Sequence, residues 1–147
     1  MPKTNEELIL ALKETGVLRS KQVAAALRAV DRGDFVPEEL RNVAYEDEAL
    51  PIGYRQTISQ PYTVVFMLEL LGAKEGETIF DVGHGSGWQT ALLAHMVGES
   101  GKVYATEIVP ELCKFGEANI TKYPELYRRV VFGCGDASRG AALADGA

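Results

Sequence analysis

The chain has 147 residues, 46% hydrophobic and 24% charged, the composition of one folded domain rather than a disordered segment. Fifteen Lys and Arg against 21 Asp and Glu leave a net charge of −6, which repels a phosphate backbone and argues against nucleic acid as the general partner. No apolar run is long enough to span a membrane, and the first residues hold Lys3, Glu6 and Glu7 where a signal peptide needs an apolar core; a cytoplasmic protein with no membrane partner is expected.

The first third reads as helical. Thr4 with Glu7 three positions on is a capping-box pattern, Leu8, Ile9 and Leu12 follow at helical spacing, and Gly16 suits the stop. Ser20 opens a second helix with Val23, Leu27 and Val30 on one face, broken by Gly33 and Pro37. A short helical turn is expected over Glu38 to Leu40. The texture then changes. From Tyr45 to Pro61 the chain carries two prolines, a glycine and several hydroxyl or amide side chains, which predicts an ordered, functional loop. Pro61 starts a third helix through Val64, Val65, Leu68 and Leu71 to Gly72. Strands are expected at Thr78–Val82, Lys102–Glu107 and Arg129–Phe132, with helices from Trp88 to Val97 and from Pro110 to near Tyr123. That alternation implies a parallel sheet with right-handed crossovers. Trp88 and Phe80 are expected in the core. Cys113 and Cys134 lie far apart without a CxxC pair, and two half-buried free thiols are expected.

The first strand ends in Asp81-Val82-Gly83-His84-Gly85-Ser86-Gly87-Trp88. Alternating glycines between a strand and a helix let the backbone turn tightly and lie close to a ligand at the carboxyl ends of the strands. A dinucleotide fingerprint would place its third glycine where Trp88 stands, and there is no P-loop lysine. Glu107 ends the next strand, 26 positions after Asp81, the usual place for an acid that holds ribose hydroxyls. Asp136 follows the third strand. Three carboxylates at neighbouring strand ends suit a ligand with a ribose, no phosphate and a positive charge, which describes S-adenosylmethionine. Taken singly, Glu107 could be a solvated strand end and Asp136 an ordinary turn residue.

The sequence resembles the protein-L-isoaspartate O-methyltransferases, a family of class I S-adenosylmethionine-dependent enzymes. Its most specific stretches are Phe35-Val36-Pro37, Ala44-Tyr45-Glu46-Asp47, Leu50-Pro51-Ile52-Gly53-Tyr54 and Gln56-Thr57-Ile58-Ser59-Gln60-Pro61. The resemblance implies a Rossmann-like α/β class I methyltransferase fold, three-layered with a mostly parallel sheet and an N-terminal helical extension. Residues 1–147 would form one incomplete domain. Residues 1–60 would supply helices and a substrate-side loop, and 61–147 the first half of the cofactor-binding part. The family continues past Ala147 with further strands, one beside the glycine-loop strand, so on this resemblance the C-terminal strands are expected to be missing.

The resemblance also assigns roles. Ser59 matches the active-site serine. Thr57, Ile58, Asp81, Gly83, His84, Gly85, Ser86, Gly87, Glu107, Asp136 and Ala137 match cofactor-binding positions. Four positions depart from the family: His84 for a small or hydroxyl residue, Trp88 for a tyrosine, and Arg55 and Ala137 for glycines. The implied reaction is methyl transfer from S-adenosylmethionine to the free carboxyl of L-isoaspartyl residues in damaged proteins, with no metal. For Ser59 the bland alternative is a hydroxyl that caps the Pro61 helix; for His84 and His95 it is a structural role. Two other functions stay open: a class I methyltransferase acting on RNA or a small molecule, or an inactive fragment that self-associates through the exposed Thr78–Val82 edge.

Overall fold

The computed structural model describes residues 1–136, and they fall into two compact units that divide between Gly72 and Ala73. The first begins with helices α1 (Asn5–Thr15) and α2 (Lys21–Ala29), which pack together. Each end is set by the residue the sequence offers for it. Thr4 accepts the Glu7 N–H at 3.1 Å and Ser20 the Val23 N–H at 3.1 Å, satisfying donors that a helix start leaves open. The Glu7 carboxylate reaches the Lys3 N–H rather than that of Thr4, so the capping box is shifted by one residue. Glu69 accepts the N–H groups of Arg19 and Ser20 at 2.7 and 2.8 Å. Burial raises its pKa, but these two donors outweigh burial and leave it below the ordinary carboxylate value.

Two 3₁₀ turns follow, Arg32–Phe35 and Glu38–Val43. The segment expected as loop contains a hairpin: β1 (Leu50–Gly53) pairs antiparallel with β2 (Gln56–Ile58), Gly53 opposite Gln56. Its two-residue turn is Tyr54-Arg55, and both have positive φ, 56° and 60°. That is the left-handed pair a tight hairpin demands, a conformation that favours glycine or asparagine. Replacing Arg55 by glycine is therefore expected to stabilise the first unit by about 1 kcal/mol. A urea midpoint that falls instead would show that the arginine side chain holds the turn. The unit closes with α3 (Pro61–Leu71), stopped by Gly72 at φ 58°.

In the second unit β3 (Thr78–Val82), β4 (Lys102–Glu107) and β5 (Val130–Cys134) form a parallel sheet in that order. Thr78 stands opposite Lys102, and Glu107 opposite Cys134. Helices α4 (Trp88–Val97) and α5 (Pro110–Ile120) make the crossovers. The last crossover adds a short α6 (Pro124–Tyr127), where one helix running to Tyr123 was expected. Apolar α4 and central β4 are buried nearly throughout, which suits a strand paired on both sides.

Two expectations are corrected. Phe80 is not core: it is 60% exposed and Val82 is 71% exposed. Period-two alternation puts both on one face of β3, and that face lies open; Phe80 stacks on Tyr104, with ring centroids 5.3 Å apart. Nor are the cysteines free thiols. Cys113 and Cys134 are joined in a disulfide, their Cα atoms 5.8 Å apart. Topology brings them together: the first turn of α5 and the end of β5 lie at the same carboxyl edge of the sheet.

Candidate cofactor site

The glycine loop is fixed from several sides. The N–H groups of Gly83 and His84 both donate to the Thr106 carbonyl, at 2.8 and 2.9 Å. Gly85 N–H donates to Glu107 Oε1 at 2.8 Å, and Glu107 Oε2 accepts from Ile108 and Val109 N–H at 3.0 Å each. A carboxylate offers roughly four lone-pair positions. Three are taken here, and Glu107 is 6% exposed. Glu107 thus clamps the loop to the end of β4 and keeps an acceptor position for a hydroxyl.

Asp81 lies beneath the loop, 5% exposed. Its carboxylate accepts from the Thr90 hydroxyl and, at 3.4 Å, from the Gln89 amide. Burial raises its pKa; Thr90, nearby His84 and Gln89 act against burial without cancelling it. Asp81 therefore ties the loop to the first turn of α4. Ser86 Oγ accepts the Trp88 N–H at 3.4 Å, and the Ser86 carbonyl accepts from the buried Asn119 amide at 2.9 Å.

Packing explains one glycine and one partner. A Cβ on Gly87, whose φ is +89°, would come within 2.8 Å of the Gly116 carbonyl. One on Gly116 would come within 2.5 Å of the Gly85 carbonyl and strike the His84 ring. His84 is buried, edge-on to Phe132 at 5.5 Å, and its Nε2 has no hydrogen-bond partner among the described residues. His95 is half-buried on α4, its pKa lowered by burial and by Arg129.

Asp81, Gly83, His84, Gly85, Ser86, Gly87 and Glu107 therefore meet at the carboxyl edge of the sheet. The segment leading to Asp136 joins them, since Gly135 N–H donates to the Glu107 carbonyl at 2.8 Å. Ala137 lies outside the described residues.

Thr57, Ile58 and Ser59 belong to the first unit. Thr57 and Ser59 are exposed at the end of the hairpin and Ile58 is buried. Ser59 does not cap α3: the Tyr62 N–H donates instead to Asp47 Oδ1 at 2.8 Å. The sequence reading missed Thr90, Gly116 and Asn119. A polar Asn119 and a bare Gly116 on the buried stripe of α5, beside Leu112 and Ile120, were the available signals.

A parallel sheet, a glycine loop at its carboxyl edge and an acid ending the neighbouring strand define a Rossmann-like α/β protein of the class I methyltransferase type. The protein-L-isoaspartate(D-aspartate) O-methyltransferase (PCMT) family model matches residues 3–144; the chain belongs to that family. It is 46% identical over 134 residues to a protein-L-isoaspartate O-methyltransferase of Aeropyrum pernix, covering 90% of this chain and 51% of the relative. With the Ignicoccus hospitalis counterpart it shares 41% identity over 140 residues, 95% of this chain and 65% of the relative. Among solved structures it resembles the beta-aspartate methyltransferase (PCMT) of Plasmodium falciparum, crystallised in complex with S-adenosyl-L-homocysteine. The TM-score is 0.81 at 28% identity, over 90% of this chain and 63% of that one. The chain thus spans about half to two thirds of the length of these relatives.

Proposed function

We propose that the chain carries the cofactor-binding half of a protein-repair methyltransferase. It would bind S-adenosylmethionine and serve methyl transfer to the free carboxyl of L-isoaspartyl residues in cytoplasmic proteins. The observation that carries this reading is the Glu107 clamp on the Gly83–Gly87 loop. It holds a sharply turned backbone open to a ligand and leaves carboxylate acceptor capacity at the strand end. That remaining acceptor fits a ribose hydroxyl. The buried Asp81 carboxyl below fits a cationic ligand better than a pyrophosphate.

When bound, the cofactor supplies a methyl group on a positively charged sulfur. The chain's own work is binding and placement. Glu107 would take ribose hydroxyls, Asp81 and Ser86 hold the loop, and Asp136 would stand on the adenine side. The acceptor is a carboxylate with an ordinary pKa of about 4, already ionised at neutral pH. No general base is needed, which suits a chain with only two histidines, one buried in packing. Ser59 and the neighbouring N–H groups serve as donors that orient this carboxylate and help exclude water. The substrate's following backbone nitrogen then attacks the methyl ester, loses its proton and expels methanol to close a succinimide, and addition of water to that ring opens the route back to normal aspartate. Damaged proteins are the partners on this reading. The net charge of −6 supports them over nucleic acid, and among the described residues no helix is long and apolar enough to cross a membrane.

Replacing Ser59 by alanine is expected to lower methyl transfer to an isoaspartyl peptide by about thirtyfold, the value of one hydrogen bond of ~2 kcal/mol to a charged acceptor. Calorimetric affinity for S-adenosylhomocysteine should stay unchanged. Undiminished turnover would remove Ser59 from the reaction.

A second reading concerns the isolated chain. Among the described residues the outer edge of β3 pairs with no strand, and Phe80 and Val82 are exposed on that strand. Such an edge recruits further strands, so self-association of the 147-residue chain is proposed as well. A monomeric mass by light scattering at high concentration would contradict it.

A further inference from the structure

Arg32 is wholly buried, 0% exposed, in the 3₁₀ turn after α2. One guanidinium nitrogen donates to the carbonyls of Ala44 at 2.7 Å and Glu46 at 3.3 Å. The other donates to Glu48 at 2.9 Å and Ser59 at 3.1 Å. Burial lowers its pKa to about 10 against the opposing pull of Asp47, so it is still a cation at neutral pH. Burying a charge is costly, and an apolar side chain would fill the space more cheaply. What a guanidinium adds is a rigid planar fork that fixes several acceptors at once.

Those acceptors lie on two separated segments, the Ala44–Glu48 loop and the residue that follows β2. Neighbouring contacts serve the same join. Asp31 Oδ1 accepts from the Tyr45 hydroxyl at 2.6 Å and from Gly33 N–H at 2.8 Å. A Cβ on Gly33 would come within 2.5 Å of that hydroxyl. On the far side of Ser59, the Gln60 amide donates to the Asp47 carbonyl at 3.2 Å, and Tyr62 N–H to the Asp47 carboxylate. Arg32 thus holds the Ser59 carbonyl itself, and Asp47 holds Gln60 and Tyr62 just after it.

We infer that Arg32 is a positioning residue for the substrate-carboxylate segment: it acts through the Ser59 carbonyl and the Ala44–Glu48 loop, without touching substrate. The inference rests on the role proposed above for Ser59. It is tested with Arg32→Lys, which keeps the charge and removes the fork. By hydrogen exchange of the 147-residue chain, R32K should speed exchange of amides between Ala44 and Gln60 by about tenfold, with α1 and α2 of the same unit little changed. In methyl transfer it should raise KM for an isoaspartyl peptide and lower kcat, with affinity for S-adenosylhomocysteine unaltered.

Uniform loss of protection across the first unit, or no local change, overturns the inference. So does a wild-type split of KM and kcat in R32K. Local loosening in R32K beside a wild-type chain that transfers no methyl group keeps the join and counts against methyl transfer by this chain instead. Native-state exchange of the wild type in sub-denaturing urea needs no folded variant. The Arg32 guanidinium protons and the Tyr62 N–H, which donates to the Asp47 carboxylate, should lose protection with one shared urea dependence; separate dependences overturn the inference.

Discussion

Replacing Glu107 by alanine is expected to abolish measurable binding of S-adenosylhomocysteine and to cost about 3 kcal/mol of stability. The stability loss follows from the clamp. Gly85, Ile108 and Val109 each lose the acceptor of a 2.8–3.0 Å hydrogen bond, in a place where Glu107 itself is nearly inaccessible. Water entering the gap recovers part of the deficit, so the total falls below three separate charged hydrogen bonds at about 1.5–3 kcal/mol each. The binding loss follows from the same geometry, because the carboxylate that holds the loop is also the proposed ribose acceptor. Glu107→Gln separates the two effects. Its amide oxygen still accepts from one side of the clamp, while its NH2 faces donors on the other. Its stability should lie between wild type and alanine, with binding still severely weakened. Urea midpoints beside calorimetry read both, and wild-type affinity in the alanine variant would refute the ribose assignment.

Removing the Cys113–Cys134 bond is expected to destabilise the chain by about 3 kcal/mol, the loop-closure value for a cross-link of modest span; here the sequence separation is 21. The corresponding fall in melting temperature is roughly 10 °C. The effect should be felt at the cofactor edge. Among the described residues β5 is an edge strand of the sheet, Gly135 and Asp136 follow its end, and the Cys113 sulfur lies 3.1 Å from the Glu107 carbonyl. A chain with both cysteines changed to alanine supplies the control. Reductant should lower the wild-type melting temperature to that of the double variant and leave the variant unmoved. A wild-type midpoint insensitive to full reduction would contradict the assignment.

The second unit was legible because its signals agree with one another. Trp88–Val97, Lys102–Glu107 and Thr78–Val82 were expected with the bounds observed, since glycines and prolines punctuate apolar runs of unmistakable length. Glu107 could be placed at the site from its position at a strand end. Its three N–H partners could not, because they are made by the backbone of the loop and of the following turn. The hairpin was hidden by Pro51 and by polar Gln56 and Thr57, and its Tyr54-Arg55 turn lacks the asparagine or glycine that announces such turns. Arg32 stands in an Asp-Arg-Gly-Asp run that looks like solvated surface; only the fold shows the carbonyls gathered around it. The disulfide depends on where α5 starts and β5 ends, which spacing alone does not give. Phe80 was expected inside because an apolar strand residue usually is; the open face of β3 leaves it out.

The cofactor edge as a whole is tested most directly by titrating the isotope-labelled chain with S-adenosylhomocysteine and mapping amide shifts. Saturable shifts confined to Gly83–Gly87, Glu107–Val109 and Gly135–Asp136 are the predicted result. Saturable shifts confined to the opposite, amino-terminal end of the strands around Lys102 and Arg129, or none at millimolar ligand, would contradict it.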